Sequence, residues 1–280
     1  MSRAAESAGA AESARARAEV LKLARLLQRE PASLSYLERL GLDDLRALRL
    51  RVTETLFDAQ SGSLRGLAGV SRLVPVGLGA AIGQSVFGPL LSAQITTQLD
   101  PERAVEMAAR LPTAFLADVA IEIDPRRAAA VIARIPAPRV AEVTAELVRR
   151  GEHVTMGRYV AYLSDDAIAA ALAAMDPSST LEVAFVLEEP ERLPTVMRLL
   201  PLRRWDGLVA AAIERGLWVQ ALWLAGALRQ RERAALIAAI ERSGPAGLRS
   251  LAAAVAAHDL GDEAALLAAG SPAVRAALRR

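Results

Sequence analysis

Few residues in this chain have the type and spacing to do chemistry. Glu188, Glu189 and Glu191 flank Pro190, and carboxylates grouped this way could offer oxygen ligands to a divalent cation. The simpler role places an acid at a helix N-terminus with Pro190 at the first helical position, where no N–H is needed. Asp165 and Asp166, following Ser164, read as the same kind of start. His153 and His258 are the only histidines; they lie far apart, with no nucleophile at useful spacing. The zinc-protease, nucleophile-elbow and phosphate-loop motifs are absent from the sequence. With so few groups able to move a proton, a non-enzymatic protein without cofactor or metal is expected.

Two further groups invite a binding reading. Trp205, Trp218 and Trp223 lie near Arg203, Arg204 and Asp206. Aromatics beside arginines can stack a nucleic-acid base, but a net charge of +2 leaves too small an electrostatic footprint for that partner. Arg203, Arg204, Trp205, Trp218 and Trp223 are therefore expected to form a protein interaction surface. Trp218 and Trp223 are five apart and share a helix face poorly, which puts one of them in the core. The run from Gly77 through Gly79 to Gly83 approaches a dinucleotide fingerprint. Pro75 damages the strand that must precede it, the glycine spacing is off by one, and no strand–helix–strand alternation surrounds it.

The same run belongs to a longer uncharged stretch, Leu73 to Leu99. Gly79 and Gly83 form a small-xxx-small pair suited to close helix contact. The stretch is long enough to cross a bilayer core of about 30 Å, yet Pro75, Pro89 and several polar side chains interrupt it. It splits at Gly88-Pro89 into two pieces, each too short to span. The expectation is a buried helical hairpin in which Gly79, Gly83, Val86, Phe87, Leu90 and Leu91 make the contacts. Membrane contact through these residues is the alternative, and a second copy of the chain could also cover them.

These candidates sit in a chain of 280 residues that is 53% hydrophobic but only 4% aromatic. Alanine and leucine dominate and strand-like alternation is missing, so the elements expected to position them are helices. Cysteine is absent, which excludes disulfides and thiolate metal sites. The sequence pI is about 9.5, and Lys22 is the only lysine among many arginines. The first residues carry no apolar signal segment, so a cytoplasmic location is expected, or one peripheral to a membrane.

Along the chain, residues 1–11 read as a disordered tail and 12–99 as a helical N-terminal region. From Glu12 to Arg29 the residues Val20, Leu23, Leu26 and Leu27 share one helical face, with the arginines and Lys22 mostly opposite. Ser33 is expected to cap a short helix that Gly41 stops. Asp43 and Asp44 suit the first turn of the next, which carries Leu45, Leu48, Val52, Leu56 and Phe57 inward. Residues 100–280 read as a helical-repeat region. Asp100-Pro101-Glu102-Arg103-Ala104 returns as Asp124-Pro125-Arg126-Arg127-Ala128, and Arg110-Leu111-Pro112 returns as Arg134-Ile135-Pro136. Both matches have an offset of 24, from 100 to 124 and from 110 to 134. A fixed period of this kind marks stacked helical units that cover one another's apolar faces. Aspartate before proline suits each start, as N-cap and first helical residue. Leu111 and Ile135, equivalent in the repeat, are expected to face the shared core.

Over roughly Asp100 to Leu228 this pattern resembles the N-terminal superhelical domain of MgtE-type magnesium transporters; the middle region of the flagellar motor protein FliG is similar in build. The resemblance implies a right-handed superhelix of paired short helices. In the transporter family the domain is acidic and works with regulatory and membrane domains, whereas the units here carry arginine. The expected function is a scaffold that binds another protein or a membrane assembly.

Overall fold

The computed structural model describes residues 15–61, 74–258 and 260–279, with the backbone alone for 56–61. Among these residues the chain is all helical, with no strand. The expected tail at 1–11, Leu73, and the side chains of Leu56 and Phe57 lie outside the described residues. Two compact units emerge. One joins the N-terminal residues up to Arg49 with those from Asp176 onward; the other runs from Leu50 to Met175. Neither edge falls at the expected 99/100 boundary.

The Leu50–Met175 unit holds α3 (Val76–Ile82), a wider π turn (Gly83–Phe87), α4 (Gly88–Thr96), α5 (Pro101–Ala108) and α6 (Thr113–Glu122). It continues with α7 (Ala129–Ile132), α8 (Ala137–Arg149), α9 (His153–Tyr159) and α10 (Asp165–Ala174). Asp100 caps α5 as its type demands, its carboxylate accepting the Arg103 N–H at 3.3 Å. Ser164 does the same for α10 through the Ala167 N–H. The second copy of the repeat departs from the first. Asp124 accepts the Arg126 N–H, two residues on, at 3.1 Å, and binds the Arg126 guanidinium through both oxygens. An Asx-type turn replaces the expected helix start, and the helix begins only at Ala129. Packing runs to the next helix but one, α3 on α5, α4 on α6, α5 on α7, α6 on α8 and α8 on α10. The core gathers Ala93, Phe115, Val119, Ile123, Ala128 and Ile132. Leu111 packs against it half-buried, and Ile135 is also half-buried.

The other unit begins with α1 (residues 15–26), a 3-10 segment (Pro31–Arg39) and the first part of α2 (Leu42–Ser61). Asp43 and Asp44 occupy the first turn of α2, where the helix dipole favours them. Ser33 is not a cap: its hydroxyl donates to the Glu30 carbonyl at 2.7 Å, and the segment begins at Pro31. From Asp176 the unit resumes with α11 (Pro177–Phe185), α12 (Leu193–Leu199), α13 (Trp205–Arg215) and α14 (Trp218–Ala227). It ends with α15 (Gln230–Arg242), α16 (Gly244–His258), α17 (Gly261–Gly270) and α18 (Pro272–Ala277). Asp176 caps α11, accepting the Ser179 N–H at 3.0 Å and its hydroxyl at 2.6 Å. Partial burial opposes ionisation there, but the Ser179 bonds prevail and hold the Asp176 carboxyl below its ordinary value. Gly216, at φ 69°, ends α13 in the left-handed conformation that glycine adopts without strain.

Burial separates the two isoleucines at the end of the second repeat copy. Ile132→Ala is expected to cost about 2–5 kcal/mol, and Ile135→Ala clearly less. Urea unfolding of both variants checks this; equal losses would mean that Ile135 belongs to the core as fully as Ile132.

Candidate functional site

The uncharged segment has an unusual distribution of side-chain size. Gly79, Ala80 and Ala93 face the body and Gly83 faces the other limb: Ala80 and Ala93 are buried, a Cβ on Gly79 would lie 3.2 Å from Met107 Cε, and one on Gly83 would lie 3.4 Å from Ser92 Oγ. Of the large apolar residues Ile95 is buried, but three others face out. Val86 is 71% exposed, Leu78 55% and Leu90 46%; Phe87 and Leu91 are half-buried. The most apolar window of Val76–Thr96 has a mean hydropathy of 1.3 and is only 11% buried. The burial expected at Val86 is thus corrected. Small side chains bring the two limbs close to α5 and α6, and that close approach leaves the large ones outside.

The segment is not one straight rod. Gly88 takes φ 71° and ψ 179°, and the Ser92 hydroxyl donates to the Gly83 carbonyl at 3.1 Å. In a continuous helix those residues would stand roughly 13 Å apart, so the chain bends back at Gly88. The other hydroxyls also turn onto the backbone. Ser85 donates to the Ala81 carbonyl at 2.5 Å, Thr96 to Ser92 at 2.7 Å and Thr97 to Gln94 at 2.8 Å.

The tryptophan and arginine group does not form a surface. Trp205 is fully buried, and Trp218 is buried with its indole N–H donating to Ser250 Oγ at 2.9 Å. Trp223 is half-buried and meets Phe185 edge-on, ring centroids 5.8 Å apart. Of the residues expected on that surface, Arg203 is exposed and Arg204 half-buried. Trp205 and Trp218 belong to the core of their unit, because they begin helices whose apolar faces pack inward.

Glu188 takes part in a feature that local sequence reading missed. Lys22 is buried rather than on the polar face of α1. Its ammonium donates to Glu19 Oε1 at 2.8 Å and to the Leu187 carbonyl at 3.0 Å, with Glu188 Oε2 at 3.8 Å. Arg49 donates through Nε to Glu19 Oε2 at 2.8 Å and through Nη2 to Glu188 Oε1 at 2.5 Å. Two acids and two bases thus close a largely buried ring of charge, with the more exposed Arg46 also 3.8 Å from Glu19 Oε1. Burial opposes ionisation of Glu19, but the Lys22 and Arg49 charges and hydrogen bonds outweigh it and hold the carboxyl below its ordinary value. At Lys22 burial prevails over Glu19 and Glu188 and lowers the ammonium. The directions differ because Glu19 bonds two cations, whereas Lys22 bonds one carboxylate and reaches the second only at 3.8 Å. Pro190 opens a 3-10 turn at its first position, as expected. Among the described residues no group of three or more His, Asp or Glu is placed to hold a metal ion.

No family model, curated protein or solved structure matches the chain.

Glu19→Gln removes one charge from the ring and is expected to destabilise the protein at pH 7 by about 3 kcal/mol. The folded Glu19 titrates below the unfolded value of about 4.3, so its stabilisation is present above that pH and disappears as pH falls through the folded value. Urea melts from neutral to acid pH should therefore show the gap to wild type closing in acid; a constant gap would exclude ionised Glu19 as its source.

Proposed function

We propose that the chain is a non-enzymatic binding module whose contact surface is the uncharged segment Val76–Thr96. One observation carries this: Leu78, Val86 and Leu90 face outward from a segment with small residues facing in. An amphipathic helix of a protein that needs no partner places them the other way round. A contiguous apolar face left open marks a contact site. The segment is held on α5 and α6, which belong to a packed core, so the surface is presented by a rigid support.

We further propose that the short capped helices act as a scaffold of stacked repeats, of the kind implied by the resemblance to the MgtE N-terminal domain. Packing of most helices in the Leu50–Met175 unit on the next but one is the support for that arrangement. Another protein or a membrane assembly is the class of partner such a module serves.

A photo-reactive amino acid at Val86, irradiated in the native cell, is expected to form adducts, while the same label at exposed Ala173 does not. Equal labelling, or none at Val86, would refute the contact surface. Because Val86 is exposed, Val86→Arg should shift stability by no more than about 0.5 kcal/mol.

A further inference from the structure

We propose that the bend at Gly88, carrying Val86, Phe87, Leu90 and Leu91, inserts shallowly into the boundary between headgroups and acyl chains of a lipid bilayer. It acts as an interfacial wedge, not a span. The inference rests on Val76–Thr96 being the contact surface, and it names what that surface contacts.

The polar chemistry of the segment favours lipid. A typical protein interface carries about ten direct hydrogen bonds, and apart from the exposed Gln84 this surface offers little to make them. No charged residue occurs from Leu73 to Leu99. Ser85, Ser92, Thr96 and Thr97 have all turned their hydroxyls onto backbone carbonyls of their own segment. At the bend, Gly88 donates its N–H to the Gly83 carbonyl, and Pro89 has none to satisfy. A bilayer makes the same demand, since apolar surroundings penalise every polar group left unbonded.

Size argues against a second copy of the chain. A stable interface buries about 800 Å² per partner and takes roughly 20–30 residues a side. Here one face of a short segment is open, with three strongly exposed large side chains. Length argues against crossing. The limbs Val76–Phe87 and Gly88–Thr96 would extend roughly 18 Å and 14 Å, against a hydrocarbon core of about 30 Å. Interfacial elements need only about 5–10 Å of depth. The absence of charge also sets the kind of attachment. Basic anchors are drawn to anionic lipid and released by salt, whereas this wedge has no charge to be screened and should accept zwitterionic lipid.

The full chain, mixed with vesicles of phosphatidylcholine alone, is expected to float with them at low and high salt alike. Val86→Arg combined with Leu90→Arg should weaken flotation at least about tenfold with unchanged melting. The chain has no cysteine, so Val86→Cys gives a single site for an environment-sensitive dye. Its emission should shift to the blue and brighten on vesicles, while that of Ala173→Cys stays constant. The dye decides the matter even if the double arginine variant fails to fold. Failure of the wild type to float, flotation abolished by salt, or an unresponsive dye at Val86 would overturn the wedge. Protein adducts or dimers formed through Val86 without vesicle binding would overturn it too, yet leave the contact surface standing. Loss of all Val86 adducts would remove both.

Discussion

The closed ring of Glu19, Lys22, Arg49 and Glu188 is the interaction on which its unit depends. It joins α1 and α2 to the turn after α11, across more than half of the sequence. Each charge is largely withdrawn from water, and a buried charge without its partner costs several kcal/mol. The four groups therefore have to be assembled together. The apolar contacts of α1, made by Ala16 and Val20 against Leu45, are not directional. They would tolerate a slide of one helical turn that the ring forbids. The single lysine suits its place: its compact head donates to Glu19 and to the Leu187 carbonyl with Glu188 3.8 Å away, a geometry that a planar guanidinium fits poorly.

Arginine serves a second constraint, set by short helices. Every helix leaves four C-terminal carbonyls without an internal partner, whatever its length, so a chain of short helices has an unusual number to satisfy. Arg139 reaches from α8 to the Ala108 and Leu111 carbonyls at the end of α5. Arg110 and Arg134 turn back onto Glu106 and Ala130, and Arg275 covers Ala268 and Ala269.

What could be read from the sequence was local. Asp100, Ser164 and Asp176 announce helix starts because a cap needs only the next three residues. Asp124 shares the local pattern but not the outcome, since Arg126 competes for its carboxylate. Lys22 and Glu188 carry no mutual signal, being 166 positions apart and offering only opposite charge. Proximity along the chain does not make a shared surface of the tryptophans, because the packing of their helices turns Trp205 and Trp218 inward. Val86 is the opposite case: an apolar residue in an apolar run is assigned to the core unless its neighbours' sizes are weighed.

Those sizes connect the fold to its proposed role. Glycine and alanine on the inner side of the Val76–Thr96 segment allow the limbs to lie against α5 and α6 at close range. Among the described residues their outer sides have no counterpart layer and carry leucine and valine into the open. Hydroxyls in both limbs are already bonded within the segment, so removing water from that side would strand few polar groups. Close packing within and apolar exposure without are thus two results of one choice of residues. The packed helices behind the segment keep that face from collapsing inward, as the proposed role requires.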